Sequence, residues 1–123
     1  MKVLIVDDDP LILEMYTLKL RKAGFDVEVA SDGRQGLEKI RAGGLGVILL
    51  DVVLPLVDGF EILETLRREG IGHPPVILLT NLGQKEDVER GMALGAVDYV
   101  IKAHFTPSEV VEKIESILKE KKS

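Results

Sequence analysis

In this chain of 123 residues the side chains able to do chemistry stand at the ends of apolar runs. Asp7, Asp8 and Asp9 follow Val3 to Val6, and Asp51 follows Val47 to Leu50. Thr80 follows Pro75 to Leu79, and Lys102 follows Val97 to Ile101. A fold that gathers the ends of these runs brings Asp7, Asp8 and Asp51 to one spot. At ~4 Å and an effective dielectric of ~20, each like-charged pair costs about 4 kcal/mol, equivalent to roughly three pKa units. Such a cluster demands a cation or protons. Oxygen donors without histidine or cysteine suit a hard ion, and Mg²⁺ favours one or two carboxylates completed by waters and phosphate oxygens. Lys102 adds a point charge suited to a phosphoryl oxygen, and Thr80 adds a hydroxyl. Together these are the parts that phosphoryl transfer to a carboxylate requires, because its catalysis is mostly positioning and charge neutralisation. Asp51 is ionised at neutral pH and needs no general base.

The elements that must position these groups alternate along the chain. The four apolar runs read as strands buried on both faces. Val27, Val29 and Ala30, with Glu28 between the valines, read as a more polar strand nearer a sheet edge. Between the strands lie segments of helical period: Leu11, Met15 and Leu18; Leu37 and Ile40; Ile62, Leu63 and Leu66; Val88 and Met92; and Val110, Ile114, Ile117 and Leu118. Gly24, Gly70 and Gly95 punctuate helix ends, and Thr106-Pro107-Ser108-Glu109 is a capping box with proline at the first helical position. Regular βα alternation predicts an α/β fold, a five-stranded parallel sheet with right-handed crossovers and helices on both faces. For five strands the flavodoxin-like order 2-1-3-4-5 is favoured, with its crevice outside the carboxyl ends of strands 1 and 3.

Length and composition bound the function. Residues 1–123 are one domain's worth, with no linker or repeat, so a built-in output module is not expected. The formal net charge of −5 argues against direct nucleic-acid binding, which needs a basic face. With no cysteine there is neither a disulfide framework nor a thiolate metal site. The apolar run before the three aspartates is too short for a signal peptide or a membrane span, so a cytoplasmic protein without membrane contact is expected.

IVDDDP, LLDVVLPLVDGFE, VILLTN and DYVIK, in that order and spacing, resemble the receiver domains of two-component response regulators over the whole chain. The joint match is highly specific, whereas an aspartate after one apolar run is not. The strand order 2-1-3-4-5 comes with that resemblance. So do the following roles. Asp51 is the phosphorylated residue; Asp8, Asp51 and the backbone carbonyl of Val53 touch Mg²⁺, and Asp7 acts mostly through water. Thr80 and Lys102 each meet a phosphoryl oxygen, and Tyr99 moves inward when Thr80 is drawn toward the phosphate. The implied phosphodonor is a sensor histidine kinase or a phosphotransfer protein, and the implied output surface is the face of helix 4, strand 5 and helix 5, read by a protein partner. Val53 and Leu82 stand where the family flanks the route of attacking water; both are apolar, so a long-lived acyl phosphate is expected.

One segment departs from the family pattern. Receivers carry proline directly after the lysine, often through a cis bond, whereas this chain reads Lys102-Ala103-His104-Phe105. A cis bond before alanine would cost roughly 2.5–4 kcal/mol, which predicts a trans bond and a rebuilt loop. Plainer roles suit other residues: Asp9 before Pro10 as a helix N-cap, Asp32-Gly33 and Asp58-Gly59 as turn and cap chemistry. His73 and His104 lack the companions of a transition-metal site. Three competing readings follow. One is a pseudo-receiver that binds proteins without phosphorylation. A haloacid-dehalogenase-type phosphohydrolase, suggested by Asp7-x-Asp9, leaves Asp51 unexplained. A flavodoxin-like nucleotide binder is opposed by three aspartates where a phosphate loop needs glycines or hydroxyls.

Overall fold

A computed structural model describes residues 1–81 and 85–122, with the backbone alone at 121 and 122. Five strands and five helices alternate: β1 Lys2–Val6, α1 Pro10–Lys22, β2 Asp26–Ala30, α2 Gly33–Ala42, β3 Val47–Asp51, α3 Gly59–Arg68, β4 Val76–Thr80, α4 Lys85–Ala93, β5 Asp98–Ile101 and α5 Pro107–Lys122. The strands form one parallel sheet in the order β2-β1-β3-β4-β5, as expected. Thr80 lies within β4 rather than after it, and β5 starts at Asp98, leaving Val97 exposed.

The continuous apolar runs are explained by two cores, one on each face of the sheet. Alternate residues of β1 point opposite ways. Leu4 and Val6 join Ile48, Leu50 and Leu78 under α2 and α3, while Val3 and Ile5 join Leu49, Ile77 and Val100 under α1 and α5. Each fully buried leucine, isoleucine or valine contributes about 1.5–3 kcal/mol relative to exposure. β2, at the edge, is less buried, as its charged residues require.

The helix starts follow the sequence closely. Asp9, Asp32 and Asp58 accept from the backbone N–H groups of Leu11, Gln35 and Glu61 at 2.9, 2.8 and 2.9 Å. The capping box is complete: Thr106 N–H donates to Glu109 Oε1 at 3.0 Å and Glu109 N–H to Thr106 Oγ1 at 3.2 Å. The Thr106 donors hold the exposed Glu109 carboxyl below its ordinary value.

Two helix faces differ from the sequence expectation. Leu11, Met15 and Leu18 do share a face of α1, but it is the exposed one; Tyr16 and Leu20 are buried, flanked by Ile12 and Leu13. Leucine content misled because α1 is apolar on both sides, and periodicity alone cannot choose between two stripes. In α4 the buried residue is Gly91, while Met92 is exposed.

Close backbone packing sets up the end of β3. Gly59, the first residue of α3, donates its N–H to the Val52 carbonyl at 3.1 Å, and a Cβ placed on it would stand 2.4 Å from the Asp51 carbonyl oxygen. Backbone atoms cannot swing aside as a side chain can. Gly59→Ala is therefore expected to destabilise the domain by about 1–3 kcal/mol, several degrees in Tm. Gly72→Ala, where a Cβ meets nothing within 4 Å, should leave Tm nearly unchanged. Thermal unfolding of the two variants checks this.

Candidate functional site

The central strands deliver the acidic groups side by side. Val6 of β1 is in register with Leu50 of β3, so Asp7 and Asp51 leave the sheet at the same level. Asp51 is paired with Leu79, Thr80 with Ile101, and the Lys102 N–H donates to the Thr80 carbonyl at 2.8 Å. Strand register alone thus brings residues from four segments to one rim.

Asp7, Asp8 and Asp51 each present a carboxylate oxygen within 4.8 Å of the others. Asp7 is fully buried, Asp51 nearly so, and Asp8 is exposed. Lys102, whose side chain is 10% exposed, runs between the two buried groups. Its Nζ donates to Asp51 Oδ2 at 2.9 Å and forms an ion pair with Asp7 Oδ2, which has no other partner among the described residues. Backbone N–H groups take the remaining oxygens: Val53 N–H donates to Asp51 Oδ1 at 3.1 Å and Asp9 N–H to Asp7 Oδ1 at 2.9 Å.

The electrostatics follow from this crowding. Burial pushes the Asp51 carboxyl above the ordinary aspartate value; Lys102 pulls it back through a hydrogen bond and its charge, Asp7 adds to the rise, and the Val53 N–H opposes it. Burial alone would lower the Lys102 ammonium, but the hydrogen bonds and charges of Asp7 and Asp51 together outweigh it and raise its pKa. Burial also raises the hydroxyl of Tyr16 on α1, which feels Lys102 and Asp7 in turn. Three carboxylates against one ammonium leave an excess of negative charge. The donor set is all oxygen, the choice of a hard divalent ion, and so the residues present fit a metal such as Mg²⁺.

Thr80 supplies the second unsatisfied feature. Its hydroxyl is buried and has no hydrogen-bond partner among the described residues. An unpaired buried hydroxyl costs roughly 1–3 kcal/mol, which an acceptor arriving at this rim would relieve.

Among the residues singled out from sequence, Asp7, Asp8, Asp51, Thr80 and Lys102 meet on this rim, and the Val53 backbone touches Asp51. Tyr99 lies apart, on β5, and is 38% exposed. Val53 is 69% exposed, and Leu82 lies outside the described residues. No described peptide bond is cis, so Lys102-Ala103 is trans, and the His104 N–H donates to the Ile101 carbonyl at 2.9 Å in the rebuilt loop. Sequence reasoning treated Gly59 only as turn chemistry and missed its packing against Asp51. It also missed Leu56, at φ +70°, the one non-glycine with positive φ among the described residues. Only the turn-forming Pro55 beside it could have hinted at that.

Comparison with known proteins agrees with this geometry. The family model described as the response regulator receiver domain matches residues 3–115. The DNA-binding response regulator MtrA of Mycolicibacterium smegmatis is 39% identical over 119 residues, covering 96% of this chain and 50% of MtrA. The alkaline phosphatase synthesis transcriptional regulatory protein PhoP of Bacillus subtilis is 37% identical over 118 residues, covering 96% of this chain and 48% of PhoP. The chain thus spans about half the length of these curated relatives, and the DNA binding named for MtrA is a property of that longer protein. The solved receiver domain of Francisella response regulator 1452 superposes with a TM-score of 0.88 at 33% identity, covering 98% of each chain. Matched over nearly its full length by family, relatives and fold alike, the chain belongs to the receiver domains of two-component response regulators.

Proposed function

We propose that Asp51 is the phosphoacceptor of this receiver domain and that Asp7, Asp8, Thr80 and Lys102 make its phosphorylation possible and readable. The observation that carries this reading is the Lys102 ammonium bridging buried Asp7 and Asp51, with a buried Thr80 hydroxyl that has no partner among the described residues. An Asp51 oxygen attacks the phosphorus of the donor; the new O–P bond forms as the bond to the donor breaks, and the electron pair leaves with the donor group. Lys102 would meet one oxygen of the transferred group, and the Thr80 hydroxyl, without a partner among the described residues, would donate to another. Asp8, Asp51 and the Val53 backbone carbonyl would hold Mg²⁺, with Asp7 acting mostly through water. When bound, that ion neutralises charge shared between the carboxylates and the phosphoryl oxygens.

The phosphoryl group adds charge and strong acceptors, so it favours the loop arrangement that brings Thr80 and Lys102 close. Tyr99 is exposed on β5, the strand paired with the one ending at Thr80, which suits a switch in which the ring follows Thr80 inward. On this reading the donor is a sensor histidine kinase or a phosphotransfer protein. A downstream protein reads the face of α4, β5 and α5, and the acidic domain itself does not contact nucleic acid. The domain promotes its own phosphorylation and dephosphorylation and does not act as an enzyme on a separate substrate. We assign it to the cytoplasm, in keeping with a chain free of cysteine. No helix among the described residues is long and apolar enough to cross a membrane. A receiver that works without phosphorylation would have no use for the complete set Asp7, Asp8, Asp51, Thr80 and Lys102, and that reading has no support.

Incubation with acetyl phosphate and Mg²⁺ is expected to add one phosphoryl group by intact mass, and Asp51→Asn should abolish the gain; an unchanged wild-type mass would refute the assignment. With apolar Val53 beside the acceptor, the phosphorylated chain should decay over minutes or longer without a phosphatase, and a half-life of seconds would contradict this. Stability offers an independent check. Because burial holds the Asp51 proton more tightly in the folded chain than in the unfolded one, the folded state loses stability as pH rises through the unfolded and then the folded value. Asp51→Asn should therefore raise Tm at pH 7 in EDTA, by about 1 kcal/mol or more in stability. The gain should shrink toward the acid range and in saturating Mg²⁺, which stabilises wild type by binding. A lower Tm for the variant in EDTA would contradict the sign.

A further inference from the structure

α4 is held unlike the other helices. Of Lys85–Ala93 only Gly91 is buried, set so close to β4 that a Cβ on it would stand 2.0 Å from Leu78 Cδ1. Among the described residues, polar side-chain contacts tie it to α3. The Arg90 guanidinium lies 4.3 Å from the centroid of the Phe60 ring and 3.2 Å from Glu64 Oε1, and Arg67 donates to the Ala93 carbonyl at 3.3 Å. Phe60 is buried and stands in the first turn of α3, directly after Gly59. Gly59 is packed on the Asp51 carbonyl and bonded to Val52. Backbone of Asp51, first turn of α3, Phe60 ring, Arg90 and α4 are thus in unbroken contact, and the path uses neither Thr80 nor Tyr99.

We infer that Arg90 is a positioning residue for the switch: through Phe60 it ties α4 to the backbone of Asp51 and holds the helix in the arrangement that accompanies an unphosphorylated site. The inference rests on Asp51 being the phosphoacceptor. A cation over a ring face gains from one geometry and loses with displacement, so the contact weights the arrangement in which it forms. By linkage, whatever the tether contributes to that arrangement must be overcome when a phosphoryl group favours the other.

The test is the affinity of the Mg²⁺-loaded domain for beryllofluoride, a phosphoryl mimic, followed by NMR titration at the Tyr99 amide. Arg90→Met, which keeps the aliphatic stem and loses the charge, is expected to bind about two- to fivefold tighter than wild type. Arg90→Lys should fall between them. Glu64→Gln, an exposed change that spares the core, should shift affinity the same way by less. Phe60→Leu should match Arg90→Met, and the double variant should add nothing further, because both changes remove one contact. Mg²⁺ affinity measured alone should not move. Wild-type or weaker beryllofluoride affinity in Arg90→Met and Glu64→Gln, with cooperative thermal melts, would overturn the inference, as would additive effects of residues 60 and 90. A wild-type domain that binds no beryllofluoride would overturn the phosphoacceptor assignment itself, and this inference with it.

Discussion

Two buried carboxylates share one ammonium. Asp7 and Asp51 would repel each other strongly in this setting, and Lys102 is the group that lets both stay inside a folded domain. The arrangement is balanced rather than comfortable: Asp51 is held above its ordinary pKa despite its lysine partner, and exposed Asp8 adds further negative charge. A site fully neutralised by its own side chains would have no call for a metal ion or an incoming phosphoryl group. This one is left short of positive charge on one side and, among the described residues, without a partner for the Thr80 hydroxyl on the other. On the proposed function, a metal ion and a phosphoryl group would meet both deficits.

The rest of the fold serves that balance. Parallel register sets the ends of β1 and β3 level, and β4 and β5 bring Thr80 and Lys102 beside them. The two cores on either face of the sheet fix those strands, so that the site sits on packed, hydrogen-bonded elements. α3 begins against the backbone of Asp51, and α4 has polar ties to α3 and buries only Gly91.

Much of this was legible before any coordinates. Apolar runs of four or five residues alternating with helical periods gave the sheet and its helices, because buried parallel strands cannot hide their composition. Asp9, Asp32, Asp58 and Thr106 announced their helix starts, since capping depends on local chemistry alone. The site residues were legible because each closes a strand. What failed depended on tertiary choice. α1 offers two apolar stripes, and only the position of β2 and α5 decides that Tyr16 and Leu20 face inward while Leu11 and Leu18 face water. The close approaches at Gly59 and Gly91 and the positive φ of Leu56 arise from how distant segments meet, and no local pattern encodes them.

Calorimetric titration of Mg²⁺ into wild type and Lys102→Met at pH 8 tests the shared ammonium most directly. If Lys102 is an internal cation competing for the carboxylates, its removal should tighten Mg²⁺ binding by roughly tenfold or more. Unchanged or weaker binding in the variant would contradict the account.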